Sequence, residues 1–184
     1  MDPHKPIVFI PVKEISKRCP VKNWGRKING QSLLERAINM AKTVLPAEQV
    51  VVCSSSQALL DIAYKMDVAI VLRPDRLDES DLEYVMQWFI EEGHIPDSTQ
   101  IILLQVTNPF IKPRHLTYAL SGRVMGVAHC GAFYSQSSRE WLQDGLDNKN
   151  RFSMSLVDPS VDIDTEDDFI KAKKIIEEVK RLLI

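Results

Sequence analysis

The sequence lacks several features that identify a protein class from composition alone. Lys and Arg total 23 against 25 Asp and Glu, and the net charge of -2 supplies no general attraction for nucleic acid or an anionic membrane. The three cysteines, Cys19, Cys53 and Cys130, form no CxxC pair, which argues against a disulfide framework and a zinc site. No apolar run approaches the length of a membrane span, and the first residues lack a signal-peptide pattern. We therefore expect a soluble, cytoplasmic protein that binds neither nucleic acid nor membrane.

Glycine is also scarce, and the known glycine-rich phosphate loops are missing. Only seven glycines occur, and neither GxxxxGK[ST] nor GxGxxG is present. A P-loop and a dinucleotide-binding fingerprint are therefore excluded. The 184 residues are 45% hydrophobic, which is enough for a proper core, and we expect a single domain over residues 1–184.

Short apolar segments rich in β-branched residues predict strands that are covered on both faces of a sheet. They are residues 7–12, 50–53, 68–72 and 101–106. Amphipathic helices are predicted between them, at residues 32–44, 56–66 and 81–92. This alternation predicts an α/β fold, a Rossmann-like three-layer sandwich with a mostly parallel sheet and helices on both faces.

The flanking segments complete this prediction. Ser32 and Glu35 have the spacing of a capping box at the start of the first helix. Thr165 and Asp168 predict the start of a last helix that keeps its apolar spacing to the end of the chain. The apolar segments 124–135 and 152–157 have less helix between them, and they predict a mixed or antiparallel sheet edge.

The turn after the first predicted strand concentrates positive charge. Residues 13–23, KEISKRCPVKN, contain four cations and one hydroxyl: Lys13, Lys17, Arg18, Lys22 and Ser16. Ligands of open α/β sheets lie beyond the carboxyl ends of the strands, so these side chains and nearby backbone amides could converge on one anion. Four positive charges suit a polyphosphate better than a carboxylate. A solvated basic loop without function is the alternative.

A pair of carboxylates precedes the last predicted helix, in the segment SVDIDTEDDF. In an extended segment Asp162 and Asp164 point to the same side, while Ile163 points into the core. Their mutual repulsion would be relieved by Mg²⁺, which typically takes one or two carboxylates together with substrate phosphates and water. The alternative is that acidic residues favour the helix N-terminus, which explains Asp167 and Asp168 but not Asp162.

Residues 10–23, IPVKEISKRCPVKN, resemble the N-terminal signature I-P-A-R-G-G-S-K-x-x-P-x-K-N of the acylneuraminate cytidylyltransferase family and of relatives that activate 3-deoxy-manno-octulosonate. The matching residues are Ile10, Pro11, Ser16, Lys17, Pro20, Lys22 and Asn23. The chain departs at Lys13, where the family has arginine, and at Glu14 and Ile15, where it has glycines. Lysine loses the bidentate fork of arginine, and the missing glycines restrict close approach of the backbone to phosphates.

The resemblance continues through most of the chain. Arg73 and Pro74 match an Arg-Pro pair of the family, LLQVTNPF is similar to L-Q-x-T-S-P, and DIDTEDD is similar to D-I-D-T-x-x-D. Residues 54–56 are three serines where the family has Ser-Thr-Asp, so one acidic group is missing. Residues 113–122 also run almost directly into residues 123–134, where sugar-activating relatives carry a substantial insertion.

The resemblance implies a nucleotide-diphospho-sugar transferase type of fold and the transfer of CMP from CTP to an acidic acceptor, sialic-acid-like or another 2-keto sugar acid, with release of pyrophosphate. It implies Mg²⁺ as the cofactor, bound by Asp162 and Asp164, and these two residues with Lys17 and Lys22 as the catalytic set. The implied nucleotide-binding residues are Pro11, Val12, Lys13, Ser16, Lys17, Lys22, Asn23 and Arg73. The implied acceptor-binding residues are Gln105 and Thr107.

Two alternatives stay open. In the first alternative, the acceptor is a smaller anion, such as a phosphonate. In the second alternative, the chain is a non-catalytic nucleotide-binding or assembly protein of the same fold. The replaced glycines, the serine run and the shortened segment favour the second alternative, and a homodimer with a rearranged interface is equally compatible with the sequence. The enzyme interpretations share one geometric prediction, that the loop of residues 13–23 and the acidic pair meet across one cleft.

Overall fold

The computed structural model of the protein describes residues 5–121, 133–145 and 161–182. Within them five strands form one sheet in the order β3-β2-β1-β4-β5. The strands are β1 (Ile7–Pro11), β2 (Val50–Ser54), β3 (Ala69–Leu72), β4 (Gln100–Leu104) and β5 (Phe133–Ser137). β1 to β4 are parallel and β5 is antiparallel to β4, which confirms the predicted mostly parallel sheet with an antiparallel edge.

The helices follow the predicted alternation and add two that were not predicted. They are α1 (Leu33–Lys42), α2 (Gln57–Tyr64), α3 (Leu82–Glu92), α4 (Pro113–Leu120), α5 (Ser138–Asp144) and α6 (Glu166–Leu182). Both missed helices have a start signal in the sequence. Pro113 opens α4, and Ser137 forms a capping box with Glu140 at the start of α5.

The predicted caps of α1 and α6 are present. The backbone N–H of Ser32 donates to Glu35 at 2.7 Å, and the N–H of Glu35 donates to the Ser32 hydroxyl at 3.2 Å. Thr165 and Asp168 exchange the same two kinds of hydrogen bond, at 2.8 and 3.3 Å. The prediction that Asp168 supports the start of the last helix is therefore confirmed.

Helices cover both faces of the sheet. On one face, α1, α2, α4 and α6 share a hydrophobic core with the strands, to which Leu34 and Phe169 contribute. On the other face, α3 and α5 cover a second core, where the Phe9 and Phe89 rings stack 4.3 Å apart and Trp141 is fully buried. Each large apolar side chain buried in this way stabilises the fold by about 1.5–3 kcal/mol. The predicted three-layer arrangement is confirmed.

The strand order places a crevice beside β1. The chain runs outward from β1 to β2 and β3, and then returns to β4 on the other side of β1. The loops that leave the carboxyl ends of β1 and β4 therefore diverge, and ligands of open α/β sheets bind at such a point. No helix in the described ranges is both long and apolar enough to cross a membrane.

Some sequence expectations differ from the structure or lie outside it. The strand predicted over residues 101–106 ends at Leu104, because Gln105 is followed by a turn that pairs with the segment before α6 through Ile163 and Thr107. The strand predicted within residues 124–135 is observed as β5, beginning at Phe133. Residues 122–132 and 152–157, and with them the shortened segment and Cys130, lie outside the described residues.

Candidate functional site

A cleft of about 350 Å³ opens at the crevice between the loops that follow β1 and β4. Its walls also include the segment before α6 and the residues that lead into α3. All predicted site residues except Arg73 line this cleft, so the cationic loop and the acidic pair face one another across it. Arg18, one of the four cations of the predicted basic loop, lines it as well. So do Ile15, Glu79, Leu82 and Val106, which were not assigned as site residues from the sequence.

Lys22 joins the loop after β1 to the acidic segment. Its side chain is only 7% exposed, its Nζ donates a hydrogen bond to the carbonyl oxygen of Ile163, and it lies 3.5 Å from Asp164 Oδ1. The exposed guanidinium of Arg18 contacts the same carboxylate oxygen at 2.9 Å. Because a buried ammonium needs both a counter-charge and hydrogen-bond acceptors, Lys22 holds the acidic segment against the loop.

Arg26 forms a second link between the same two segments. Both terminal nitrogens of the guanidinium donate to the Glu166 carboxylate, Nη2 at 2.8 Å. The guanidinium carbon lies 3.9 Å from the centre of the Phe169 ring. The hydrogen bond from Arg26 lowers the pKa of Glu166. Neither residue was predicted, since they are far apart in the sequence and no motif signals the pairing.

Asp162 lines the cleft and has one buried carboxylate oxygen without a hydrogen-bond partner in the described structure. The segment is fixed by a 2.9 Å hydrogen bond from the Ile163 N–H to the Thr107 carbonyl oxygen, and Asp162 Oδ1 is buried without a hydrogen-bond partner. Burial raises the pKa of Asp162, against a hydrogen bond from the Thr107 side chain, and the neighbouring Asp164 charge adds to the rise. A buried carboxylate oxygen without a partner is costly, and a bound cation would satisfy it.

The acidic pair is a small set of ligands for a metal. Among residues 5–121, 133–145 and 161–182, no group of three or more His, Cys, Asp or Glu side chains could hold a metal ion. A divalent cation at Asp162 and Asp164 would therefore need further oxygen ligands from a bound molecule and from water. Mg²⁺ is commonly bound in this way, by one or two carboxylates and substrate phosphates.

The loop after β1 bends without the glycines of the family pattern. Val21 takes a φ of 51°, which is unusual for a β-branched residue, and its carbonyl oxygen accepts from the N–H groups of Gly25 and Arg26 at 2.9 and 3.2 Å. Asn23 donates from Nδ2 to the Lys13 carbonyl oxygen at 2.8 Å, while its own Oδ1 is buried without a partner. Asn23 lines the cleft, and its amide oxygen has no donor among the described residues.

Arg73 is the predicted site residue that the structure places elsewhere. Its side chain is 1% exposed, and it donates to the Cys53 carbonyl oxygen at 3.0 Å and to Asp78 Oδ1 at 2.9 Å. The Asp78 carboxylate also accepts a 2.6 Å hydrogen bond from the Ser55 hydroxyl. The guanidinium is thus neither a solvent-facing cation nor part of the cleft wall, and its contacts give it a structural role at the ends of β2 and β3.

Replacing Asp78 with asparagine should destabilise the protein by about 2 kcal/mol, because the buried Arg73 charge loses its partner. This is less than for a fully buried pair, since the Asp78 side chain is 38% exposed. Asp97→Asn is the matched control: Asp97 pairs with Arg139 at 2.9 Å, but both side chains are more than 60% exposed. Removing the Asp97–Arg139 pair should lower the free energy of unfolding by less than about 0.5 kcal/mol. Denaturant titration of wild type and both variants measures these differences. Equal losses for the two variants would contradict the assignment.

The Arg73–Asp78 pair also has a defined pH dependence. Burial alone would raise the pKa of Asp78, but hydrogen bonds from Ser55 and Arg73 outweigh it and hold the pKa below the ordinary value of 3.8. The stabilisation is therefore complete above that pH and is lost as the pH falls through the lowered pKa of the folded protein. The difference between wild type and Asp78→Asn should shrink over that acidic range.

Two of the cysteines have no sign of catalytic chemistry. Cys19 and Cys53 are buried free thiols, and burial raises the pKa of Cys53 to about 11, although the Arg73 charge opposes the rise. A thiol with such a pKa stays protonated near neutral pH and is a poor nucleophile.

Comparison with known proteins identifies the family. A family model described as cytidylyltransferase matches residues 7–122. A search of curated proteins finds no match. The matched range includes β1 to α4 and therefore the cationic loop, while the acidic pair lies beyond it.

Solved structures share the fold over nearly the whole chain. A cytidylyltransferase from Leptospira borgpetersenii serovar Hardjo-bovis is 16% identical with a TM-score of 0.69, covering 95% of this chain and 87% of its own. CMP:2-keto-3-deoxy-manno-octonic acid synthetase complexed with CTP is 15% identical with a TM-score of 0.67, covering 95% and 99%. Rv0371c from Mycobacterium tuberculosis H37Rv, in complex with manganese, is 15% identical with a TM-score of 0.63, covering 92% and 98%.

At these identities the solved structures show the fold alone, and the family follows from the sequence model. That model spans more than half of the chain, from β1 through the loop that lines the cleft to the end of α4. The neighbours' TM-scores of 0.67 and 0.69 agree with a shared fold. The chain belongs to the cytidylyltransferase family.

Proposed function

We propose that the chain transfers CMP from CTP to a small acidic acceptor and releases pyrophosphate. One observation carries this proposal: the buried Lys22 and the cationic loop after β1 meet Asp162 and Asp164 in one cleft at the switch point of the sheet. Positive groups for a triphosphate and carboxylates for a divalent cation are the two components that nucleotidyl transfer needs from a protein.

The triphosphate would lie against the loop after β1, beside Pro11 and Val12, with Lys13, Ser16, Lys17 and Lys22 as donors. Lys17 pairs with Glu79 at 3.3 Å, but the two side chains are 81% and 80% exposed. Such an exposed pair stabilises the protein by only about 0–1 kcal/mol, so Lys17 can exchange Glu79 for a phosphate at small cost. Asn23, with its unpaired Oδ1, would accept a hydrogen bond from the nucleoside.

Asp162 and Asp164 would hold a divalent cation, which we propose to be Mg²⁺. When bound, the cation would neutralise charge on the phosphate oxygens. The unpaired, buried oxygen of Asp162 fits this assignment. Arg18 and Lys22 contact Asp164 in the nucleotide-free chain, and both can turn to phosphates when the carboxylate takes up the cation.

The reaction would proceed at the α-phosphorus of CTP. An acceptor oxygen forms a bond to the α-phosphorus, the bond from the α-phosphorus to the bridging oxygen breaks, and the electron pair leaves with pyrophosphate. If the acceptor oxygen is a hydroxyl, its proton passes to solvent. The chain would contribute positioning and charge neutralisation, with Gln105 and Thr107 on the acceptor side of the cleft.

The test is calorimetry with CTP, UTP and ATP, each with and without Mg²⁺, followed by pyrophosphate release with a panel of sugar acids and small phosphonates. We expect binding of CTP that strengthens when Mg²⁺ is added, and pyrophosphate release with at least one acid. Binding of ATP as tight as that of CTP, or no nucleotide binding at all, would contradict the proposal.

A non-catalytic nucleotide-binding protein is the second candidate. It is favoured by Ile15, which stands where the family pattern has glycine, lines the cleft and is 78% exposed. A branched side chain at this point limits how closely the backbone approaches phosphates. Metal-dependent CTP binding without pyrophosphate release on any acid would favour this candidate.

A further inference from the structure

A second pocket adjoins the nucleotide cleft. It has a volume of about 280 Å³ and is formed by one face of α1 and the turn between β4 and α4. Gln105 and Val106 line both the pocket and the cleft, so the two spaces meet at the carboxyl end of β4. A molecule in this pocket would lie beside the proposed nucleotide.

Arg36 lines the second pocket, and its positive charge has no counter-charge among the described residues. The side chain is partly buried, and its Nε is buried without a hydrogen-bond partner. No ion pair or hydrogen bond of its guanidinium is found among the residues that the structure describes. Burial lowers the pKa of Arg36 from its ordinary value, as expected for a charge that is removed from water without a partner.

The rest of the second pocket suits an anion. In the described part of its lining, Arg36 is the one charged side chain, so no carboxylate competes for the guanidinium. Gln31, Asn39, Gln105 and Asn108 are also among the lining residues, and the remainder of the lining is largely apolar. A guanidinium with nearby amides is the donor set that proteins use for carboxylate and phosphate groups.

We propose that this second pocket binds the acceptor acid through an oxyanion, a carboxylate or a phosphonate, held by Arg36. The role as acceptor rests on the proposed function, whereas the binding of the anion does not. Small-molecule pockets are typically about 300–1,000 Å³, so a space of about 280 Å³ suits a small acid better than a nine-carbon sugar acid. Gln105 would then lie between the anion and the α-phosphate.

The direct test is binding of methylphosphonate and of pyruvate to the nucleotide-free chain, by calorimetry, for wild type, Arg36→Met and Arg139→Met. We expect wild type to bind at least one probe and Arg36→Met to bind it about tenfold more weakly or worse. Arg139→Met, which removes an exposed arginine paired with Asp97, should bind like wild type. The probe that binds identifies the anion as a phosphonate or a carboxylate.

Thermal unfolding separates an anion-binding role from a structural one. Methionine keeps much of the volume of Arg36 and removes an uncompensated charge, so Arg36→Met should raise the melting temperature. A structural arginine would lower it when replaced. Arg36→Lys should recover part of the probe affinity, because it restores the charge without the planar fork.

The proposed function is tested in parallel by CTP binding. Arg36→Met should bind CTP like wild type, and with an acceptor that turns over, its KM for that acceptor should rise while kcat changes little. If wild type binds a probe and Arg36→Met does not, the anion pocket is supported. If wild type also fails to bind CTP, the proposed function is overturned while the pocket stands. Probe binding that Arg36→Met retains, or no binding of either probe to wild type, would overturn the pocket.

Discussion

Asp164→Asn is expected to abolish the effect of Mg²⁺ on CTP binding and to lower pyrophosphate release by about 10³-fold, which corresponds to about 4 kcal/mol of transition-state stabilisation. The physical reason is the loss of one of two carboxylates that face the cleft, since the neighbouring Asp162 alone is a weak ligand. The measurement is calorimetry with CTP and pyrophosphate release, with an acid that supports turnover by wild type.

Without metal, the same variant should bind CTP more tightly than wild type, by about fivefold. Asp164 contacts Arg18 at 2.9 Å and Lys22 at 3.5 Å, and its replacement leaves both cations available for phosphates. For a metal-binding carboxylate we therefore expect the Asp164→Asn variant to bind CTP more tightly than wild type without Mg²⁺ and to gain no affinity when Mg²⁺ is added. A general loss of folding would weaken binding under both conditions.

Asp167→Asn is the matched control for Asp164→Asn. Asp167 is an exposed acidic residue in the first turn of α6, and it does not line the described part of the cleft. Its replacement removes the same charge from the same segment. If Asp164→Asn retains metal-dependent CTP binding, or if Asp167→Asn loses it equally, the metal assignment is wrong.

Lys22→Met is expected to weaken CTP binding by about 10²-fold or more, because a desolvated charge that pairs with phosphate contributes about 2–5 kcal/mol. It should also destabilise the fold by about 2 kcal/mol, since the Ile163 carbonyl oxygen loses a charged donor. The measurements are CTP calorimetry and denaturant unfolding. Lys22 thus combines a binding role with the role of joining two segments of the chain.

The control for Lys22→Met is Lys27→Met, in the segment that directly follows the loop. Lys27 is exposed and is not among the residues that line the cleft in the described structure. Its loss should leave the stability unchanged within about 0.5 kcal/mol and should change CTP affinity only slightly. Should Lys22→Met bind CTP as tightly as wild type, the proposed phosphate role of Lys22 would be refuted.

The regular elements were largely predictable because their signals are local. Uninterrupted β-branched segments predicted four parallel strands, and the Ser32–Glu35 and Thr165–Asp168 spacings predicted two helix starts that the structure confirms. The starts of α4 and α5 have equally local signals, a proline and a capping box, although neither helix was predicted.

The candidate site was predictable only in part. The motif match located the cationic loop and the acidic pair, which line one cleft in the structure. Arg73 was assigned to the nucleotide from its match to the family's Arg-Pro pair, and the sequence does not show that Asp78 pairs with it. Arg26 and Glu166 are 140 positions apart in the sequence, and no local sequence pattern predicts that they pair.

The order of residues by itself determined the α/β class, the helix caps and the positions of the two charged segments, because periodicity and capping act within a few residues of the chain. Only the tertiary structure decided that these segments share a cleft, that Arg73 is buried, and that Arg36 lines a pocket with no counter-charge among the described residues. Pairing and burial depend on groups that the packing of the whole sheet brings together. Whether a buried charge destabilises the fold or is available to bind a ligand depends on the groups that surround it.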